Sequence, residues 1–282
     1  MRNGFLGFLL LLAPLLPRAA GTELTPVLDD GFRDGDFTNG KDPLDTGWVR
    51  NRGGTNMVMA VESDPGLASG PALACRFDST WSKLAAPLGA SFGLRGPGTV
   101  VRLEFRLRLL DEHGQRKLGE PPNRGLSSFF RFGLYDSQGA IRQESWGNRD
   151  GLADGFGGTL SLANATTATN ATGATVFFEM GDSQEKHDVL GGPIPEGLQT
   201  LASGKGWNGI SDTQPHHVIW TLTQIGAQTA SLALEVDGKP RVLADRVDLT
   251  NRPRAFDTLV FGLGADHGHF ALDEVKVLVV PD

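Results

Sequence analysis

Residues Val101–Leu109 read Val-Arg-Leu-Glu-Phe-Arg-Leu-Arg-Leu, with an apolar side chain at every odd position and a charged one at every even position. A period of two is typical of a β-strand that packs one face on a core and turns the other face to water. The pattern predicts that Arg102, Glu104, Arg106 and Arg108 share the outer face. Similar alternation recurs along most of the chain and no comparably long helical pattern competes with it, so we expect an all-β protein.

Other strand candidates are separated by clusters of Gly, Pro, Asn and Asp, which is the spacing of a sandwich or a barrel. The pair Asp237-Gly238 joins two alternating runs and predicts a β-hairpin over 231–242. Two Gly-rich or polar stretches, 143–159 and 162–175, are interpreted as long loops, and 182–212 is a third candidate for a mobile loop. The clearest strands are expected at 57–61, 99–109, 127–135, 174–180, 216–224, 231–236, 241–244, 258–263 and 270–279.

The N-terminal segment is similar to a secretory signal peptide. Arg2 is followed by an apolar run over 5–16 and by the small residues Ala-Ala-Gly at 19–21, which form a cleavage site of the usual kind. We expect residues 1–21 to be removed and residues 22–282 to form one domain that is secreted or periplasmic. The alternative is a short N-terminal membrane anchor. Beyond this segment no apolar run is long enough to cross a bilayer.

Cysteine usage and charge narrow the compartment and the partners. Cys75 is the single cysteine, so no intramolecular disulfide can form, and disulfide-free export fits a bacterial protein better than a eukaryotic extracellular one. The formal net charge of -7 is spread along the chain without blocks. This distribution argues against nucleic acid as a partner. We expect a monomer.

Aromatic residues in polar stretches are candidates for binding sugar, because a sugar ring has an apolar face and a polar rim. Trp146 and Trp207 lie in such stretches, whereas Trp48, Trp81 and Trp220 have the surroundings of core residues. For Trp146 and Trp207 the alternative is a plug that covers the edge of the sandwich.

A second candidate surface combines basic residues with the only tyrosine. Arg131 and Tyr135 share the parity opposite to the apolar residues at 130, 132 and 134. Together with Arg102 and Arg106 they are candidates for a sheet face that binds a polar ligand, provided that the two strands are neighbours. Arginines favour carboxylated or sulfated sugars because a guanidinium pairs with these anions through two hydrogen bonds. The alternative is an ordinary solvated face.

The C-terminal strand contains a change of phase. Apolar residues at 270 and 272 have one parity and those at 275 and 277 the other, so a bulge is expected near Asp273. Asp273, with Asp29 or Asp30 of the first strand and backbone oxygens, is a candidate for one structural calcium ion. The alternative is an aspartate that accepts hydrogen bonds from local backbone N–H groups.

Four stretches together resemble secreted bacterial domains of the concanavalin A-like lectin/glucanase superfamily. They are Val27–Gly40, Asp45–Trp48, Phe130–Asp136 and the closing Phe-x-Leu-Asp-x-Val-x-Val at 270–277. The resemblance implies a jelly roll of two antiparallel sheets, often with a structural calcium ion and often with carbohydrate as the ligand. Fold analogy alone does not transfer a function.

The expected function is therefore secreted, non-catalytic carbohydrate binding, with a polysaccharide or glycan as partner. An enzyme remains an alternative, because Arg102, Glu104 and Arg106 have the R-x-E-x-R spacing found on a strand of jelly-roll alginate lyases. The Gln-x-His motif of those lyases and the E-x-D-x-x-E strand of the retaining glucanases have no convincing counterpart, so no catalytic residue is assigned. The alternatives are a polysaccharide lyase or glycoside hydrolase acting on an acidic polysaccharide, and a structural surface module without a small ligand.

Overall fold

The computed structural model describes residues 23–38, 44–51, 57–64, 66–67, 70–77, 83–110, 129–144, 154–162, 173–179, 190, 198–210, 212–264 and 268–280. Every regular element in these ranges is a β-strand. In chain order the strands are β1 Thr25–Asp30, β2 Val49–Arg50, β3 Val58–Ser63, β4 Pro71–Phe77, β5 Lys83–Gly93, β6 Val100–Leu109, β7 Phe129–Asp136, β8 Asp154–Ser161, β9 Ala174–Glu179, β10 Leu198–Ser203, β11 His216–Gly226, β12 Thr229–Val236, β13 Lys239–Asp248, β14 Ala255–Gly264 and β15 Gly268–Val279.

The strands form two antiparallel sheets. Sheet A has the order β13-β12-β11-β6-β15-β4-β3, with β1 also paired to β15, and sheet B has the order β10-β9-β8-β7-β14-β5-β2. Strands that are consecutive in the sequence often lie in different sheets, as they do in a jelly roll. The prediction of an all-β sandwich of two antiparallel sheets is confirmed. Nothing in the described residues is a helix long and apolar enough to span a membrane.

Strand β6 shows the predicted alternation, with buried and half-buried residues in strict succession. Its inward residues are fully buried, and Phe105 packs against Phe132 and Phe261 of sheet B with ring centroids 5.1 Å apart in each pair. These contacts join the two sheets, and each fully buried large apolar side chain contributes roughly 1.5–3 kcal/mol to stability. The outward arginines stand on the solvent side of sheet A.

Three local predictions are also confirmed. β12 and β13 form the expected hairpin, and Asp237 and Gly238 have φ angles of 55° and 69°, as a type I′ turn requires. The pairing of β15 with β6 shifts register between Asp273 and Lys276, which is the expected bulge. Trp48 and Trp220 are buried, with exposures of 2% and 0%, whereas Trp81 lies outside the described residues.

Sheet B differs from sheet A because both of its faces are covered. The residues of β7 are buried at six consecutive positions. Its outer face carries a second apolar cluster: Val49, Ala85, Tyr135, Ile141, Phe177, Leu190, Leu198 and Val260. The interpretation of 143–159 and 182–212 as loops is wrong in part, since β8 begins inside the first stretch and β10 lies inside the second.

Candidate functional site

The two basic surfaces expected from the sequence lie on opposite sides of the sandwich. Arg102 and Arg106 belong to β6 of sheet A, whose neighbours are β11 and β15, whereas Arg131 and Tyr135 belong to β7 of sheet B. The expectation that all four residues line one surface is therefore wrong. The reason is topological, because β6 and the next strand in the sequence enter different sheets.

On the outer face of sheet A the arginines are paired with carboxylates. The Nε atom of Arg102 lies 2.6 Å from Oε1 of Glu104, and Arg106 forms an ion pair with Glu274. The hydrogen bond from Arg106 holds the pKa of Glu274 below its usual value. Arg108 is likewise paired with Asp64. These pairs match the alternative of a solvated, charge-balanced face, although a role of Arg102 and Arg106 in ligand binding stays a prediction.

The outer face of sheet B carries a row of residues, one from each of six adjacent strands. Residues directly opposite each other on antiparallel strands point to the same face, so strand register alone brings the members of the row together. We call this set the outer row: Lys83 of β5, Gly262 of β14, Arg131 of β7, Thr159 of β8, Thr175 of β9 and Ser203 of β10.

Exposure increases along the outer row. Lys83 and Arg131 are buried, with exposures of 3% and 5%. Thr159 and Thr175 are half-buried, and Ser203 is exposed. The row therefore runs from two enclosed cations to three hydroxyl groups that face solvent to an increasing degree.

Tyr135 and Glu179 lie beside the outer row, on either side of Gly155. The three residues are opposite one another on β7, β8 and β9. A Cβ atom at position 155 would stand 2.4 Å from Cδ1 of Tyr135, so glycine is what lets the ring lie across β8. The phenolic hydroxyl then donates a hydrogen bond to Oε2 of Glu179. Both side chains are almost completely buried.

Leu190 covers this group and is tied to it through its backbone. Its N–H donates to Oε2 of Glu179 at 3.0 Å, and its carbonyl accepts a hydrogen bond from Nη1 of Arg131 at 3.1 Å. The Leu190 side chain is 4% exposed and belongs to the outer apolar cluster. Its φ angle is 57°, in the left-handed region that leucine rarely adopts.

The electrostatics follow from burial. Loss of solvation raises the pKa of Glu179 and of Tyr135, and it lowers the pKa of Arg131. The guanidinium of Arg131 also stacks on Phe129, with Cζ 3.9 Å from the ring centroid. Its Nε atom is buried and finds no acceptor among the described residues. The guanidinium thus retains one enclosed donor for a further acceptor.

Of the two candidate tryptophans, Trp146 lies outside the described residues. Trp207 is half-buried between β10 and β11 and packs against the main core. The guanidinium of Arg241 covers its ring, with Cζ 4.5 Å from the centroid. These contacts match the plug alternative more closely than a free platform for sugar, and the binding role of Trp207 stays a prediction.

The calcium site at Asp30 and Asp273 stays a prediction, and in the structure both carboxylates accept hydrogen bonds from the protein. Oδ1 of Asp30 accepts a hydrogen bond from the N–H of Phe32 at 2.9 Å, and Oδ2 accepts one from Nε1 of Trp48 at 2.7 Å. Oδ1 of Asp273 accepts from the N–H of Glu274 at 2.7 Å. Within the described part of the chain, no group of three or more His, Cys, Asp or Glu side chains is arranged to hold a metal ion. Asp273 thus matches the alternative of local backbone bonding.

Most residues of the candidate site were not found by sequence reasoning, including the three hydroxyl residues of the outer row. Glu179 lies near the end of a predicted strand and resembles an ordinary strand-terminal carboxylate. Lys83 begins a strand that was not predicted, and Leu190 lies in a stretch interpreted as a loop. A parity argument could have placed Glu179 on the face opposite to Phe178. It could not have shown that Tyr135 would be its partner, because that depends on which strands are neighbours.

Comparison with known proteins adds a likeness in overall architecture. No family model and no curated protein matches the chain by sequence. The carbohydrate recognition domain of Emp47p is similar with a TM-score of 0.45 and 14% identity, over 92% of this chain and 97% of that one. A carbohydrate esterase from the Shiga toxin-encoding bacteriophage phi24B is similar with a TM-score of 0.49 and 13% identity, over 92% and 100%. An endo-beta-1,4-glucuronan lyase from the fungus Trichoderma reesei is similar with a TM-score of 0.45 and 12% identity, over 89% and 93%. The fold assignment itself rests on the two sheets and their strand order.

Proposed function

We propose that the protein is an exported, non-catalytic carbohydrate-binding sandwich whose outer row on sheet B takes an acidic glycan. The carrying observation is the row itself, in which the register of six strands aligns two cations with three hydroxyl groups. A uronic acid offers matching chemistry, since its carboxylate pairs with a guanidinium or ammonium group and its hydroxyls exchange hydrogen bonds with threonine and serine.

The charge balance beside the row favours an anionic ligand over a neutral one. Among the described residues of this group, Lys83 and Arg131 bring two positive charges and Glu179 brings one negative charge. The buried Nε atom of Arg131 without an acceptor among the described residues points in the same direction. An enclosed guanidinium gains most from an anionic acceptor, since charge-assisted hydrogen bonds are about twice as strong as neutral ones.

We propose a non-catalytic role because Tyr135 and Glu179, the two groups of this site that could exchange protons, are hydrogen-bonded within the protein. Tyr135 donates its proton to a hydrogen bond with Glu179, and that carboxylate also accepts from Leu190. Each of the two groups is thus engaged by a partner within the protein, so neither is set up to exchange a proton with a bound sugar. Export is proposed from residues 1–21, which lie outside the described part of the chain.

The test is a glycan array with acidic and neutral polysaccharides, followed by titration of the strongest binder with variants of the outer row. Thr159→Val and Thr175→Val remove two hydroxyls while keeping β-branched side chains. Thr221→Val and Thr223→Val are the matched controls, because these threonines are equally half-buried on the outer face of sheet A. We expect the combined sheet B variant to weaken binding by about tenfold or more, at about 1 kcal/mol per lost hydrogen bond, and the control to leave it unchanged.

Analysis of the glycan after incubation separates binding from catalysis. Recovery of the intact polymer supports a binding protein. New unsaturated ends would replace the proposal by a lyase, and new reducing ends without unsaturation would replace it by a hydrolase. Absence of binding to every acidic glycan, or equal losses in both variant pairs, would remove the outer row as the site.

A further inference from the structure

Leu190 holds an unusual position over the outer row. Both of its backbone polar groups are bonded to buried ionisable side chains, Glu179 at the N–H and Arg131 at the carbonyl. Its left-handed φ angle of 57° is sparsely populated for leucine and persists only where surrounding contacts impose it. The hydrogen bonds to Glu179 and Arg131 are two of the contacts that impose it.

The carbonyl of Leu190 is a weak acceptor for a buried guanidinium. It is a neutral group that takes one N–H of Arg131, and the Nε atom of the same guanidinium has no acceptor among the described residues. A carboxylate offers two oxygens and a full charge, so it forms shorter and stronger hydrogen bonds to arginine than a peptide carbonyl does. A carboxylate is therefore a better hydrogen-bond acceptor for Arg131 than the carbonyl of Leu190 is.

We infer that the carbonyl of Leu190 occupies, in the free protein, the place on Arg131 that the carboxylate of an acidic sugar takes on binding. When the sugar binds, its carboxylate replaces the carbonyl of Leu190 as the acceptor of Arg131, and the Leu190 backbone is released. This inference rests on the proposed function, because it assigns the acidic glycan to the outer row. It adds that the site is self-occupied, so the contacts of Leu190 set how tightly the glycan binds.

The exchange makes a quantitative prediction about affinity. When only a fraction of the molecules has Arg131 released, the apparent affinity is reduced by that fraction. The side chain of Leu190 helps to hold the residue in this position, because it packs in the outer apolar cluster beside Gly262 and Lys83. Weakening that packing raises the released fraction, and the affinity for the glycan rises with it.

The experiment compares Leu190→Ala with Leu198→Ala by calorimetric titration with a uronic-acid oligosaccharide. Leu198 is the matched control because it belongs to the same cluster and is similarly buried, at 6% exposure against 4% for Leu190. No hydrogen bond to Arg131 involves Leu198 among the described residues. We expect Leu190→Ala to bind about tenfold more tightly than the wild type, and Leu198→Ala to bind no more tightly than the wild type.

A second measurement uses the unmodified protein and does not depend on a variant folding. The amide hydrogen of Leu190, bonded to Glu179, is followed by hydrogen exchange with and without saturating oligosaccharide. Ligand binding ordinarily slows exchange at the site it covers. Displacement predicts the opposite sign at this one amide, with exchange at least about tenfold faster in the complex. A neutral glucose oligomer of the same length is the control and should leave the rate unchanged.

The outcomes separate the inference from the function on which it rests. If the wild type binds and Leu190→Ala gains no affinity, or if both alanine variants gain equally, displacement is refuted and the glycan site stands. A Leu190 amide that exchanges more slowly in the complex refutes it as well. If neither the wild type nor Leu190→Ala binds any uronic-acid oligosaccharide, the proposed function fails and the inference with it.

Discussion

The hydrogen bond between Tyr135 and Glu179 gives the sharpest test of the buried polar group on sheet B. Tyr135→Phe removes the hydroxyl and leaves the carboxylate of Glu179 with the N–H of Leu190 as its remaining donor among the bonds described. A hydrogen bond to a charged acceptor is worth roughly 1.5–3 kcal/mol, and more of this is realised when no water replaces the lost partner. Both side chains are enclosed, so we expect a loss of about 2–3 kcal/mol.

The contribution of the bond itself is isolated by a double-mutant cycle with Glu179→Gln. A direct interaction predicts a coupling free energy of about 2 kcal/mol between the two substitutions, measured by urea unfolding at neutral pH. Ser137 and Thr258 provide the reference cycle, because their hydroxyls are equally buried and lie 2.9 Å apart. This neutral pair should couple by about 1 kcal/mol or less.

Comparison of the two coupling free energies tests whether the hydrogen bond between Tyr135 and Glu179 is what stabilises the buried carboxylate. A coupling at Tyr135 and Glu179 no larger than that of the reference pair would show that the carboxylate draws its stabilisation from elsewhere. The unfolding slope of every variant must match that of the wild type, since a changed slope signals a changed unfolded state. Glu179→Gln alone also reports on charge, because burial lowers the pKa of the Arg131 guanidinium and the negative charge of Glu179 acts to raise it.

The remaining predictions concern stability. Burial raises the pKa of Asp30 from 3.8 to about 6. The stability this group contributes is therefore fully present below pH 3.8 and is lost as the pH rises through about 6, about 3 kcal/mol in all. Urea unfolding should show the stability of Asp30→Asn rising by about that much relative to the wild type between about pH 3 and pH 8, and a difference that does not vary with pH would contradict the prediction. Gly155→Ala places a Cβ atom 2.4 Å from the Tyr135 ring, whereas in the control variant Gly89→Ala nothing lies within 4 Å of the new Cβ atom. Thermal denaturation should show a loss of stability of about 1–3 kcal/mol for Gly155→Ala and almost none for Gly89→Ala. Equal losses would refute the packing account. If calcium binds at Asp273, a chelator lowers the melting temperature of the wild type and Asp273→Ala removes the difference; equal melting with and without chelator excludes that site.

Sheet A was the part of the fold that the sequence predicted well, because one of its faces meets water. The alternation over Val101–Leu109 follows from that asymmetry, and the same holds for β11 and β12, whose burial also alternates. The hairpin turn at Asp237 was predicted for a different reason, namely that few residue pairs adopt two positive φ angles in succession. Both signals are local, so they survive without knowledge of the neighbouring strands.

Sheet B was harder to predict because its strands are buried on both faces. β8 reads Asp-Gly-Phe-Gly-Gly-Thr-Leu-Ser, and its three glycines resemble a loop. The structure gives them another role, since Cβ atoms at Gly155, Gly157 and Gly158 would collide with the rings of Tyr135, Phe177 and Phe132. The aromatic side chains that fill those spaces come from other strands, so the sequence of β8 alone does not reveal them.

The candidate site was predictable only in its parts. Parity placed Arg131 and Tyr135 on one face of one strand, and this was correct. Their partners come from distant positions: Glu179 lies 44 residues after Tyr135, and Leu190 lies 59 residues after Arg131. Such pairs depend on which strands are neighbours and in which register, and this is a global property of the sandwich.

The two outer faces of the sandwich differ in how their cations are balanced, and this difference explains why sheet B is the better candidate for an anionic ligand. On sheet A, Arg102 pairs with Glu104 two positions along the same strand, and Arg106 pairs with Glu274 at the neighbouring bulge. These pairs are solvated, and a ligand would have to replace partners that are already charged. On sheet B, Arg131 is enclosed and is bonded to a neutral carbonyl, so an anionic acceptor gains a strong hydrogen bond without breaking an ion pair.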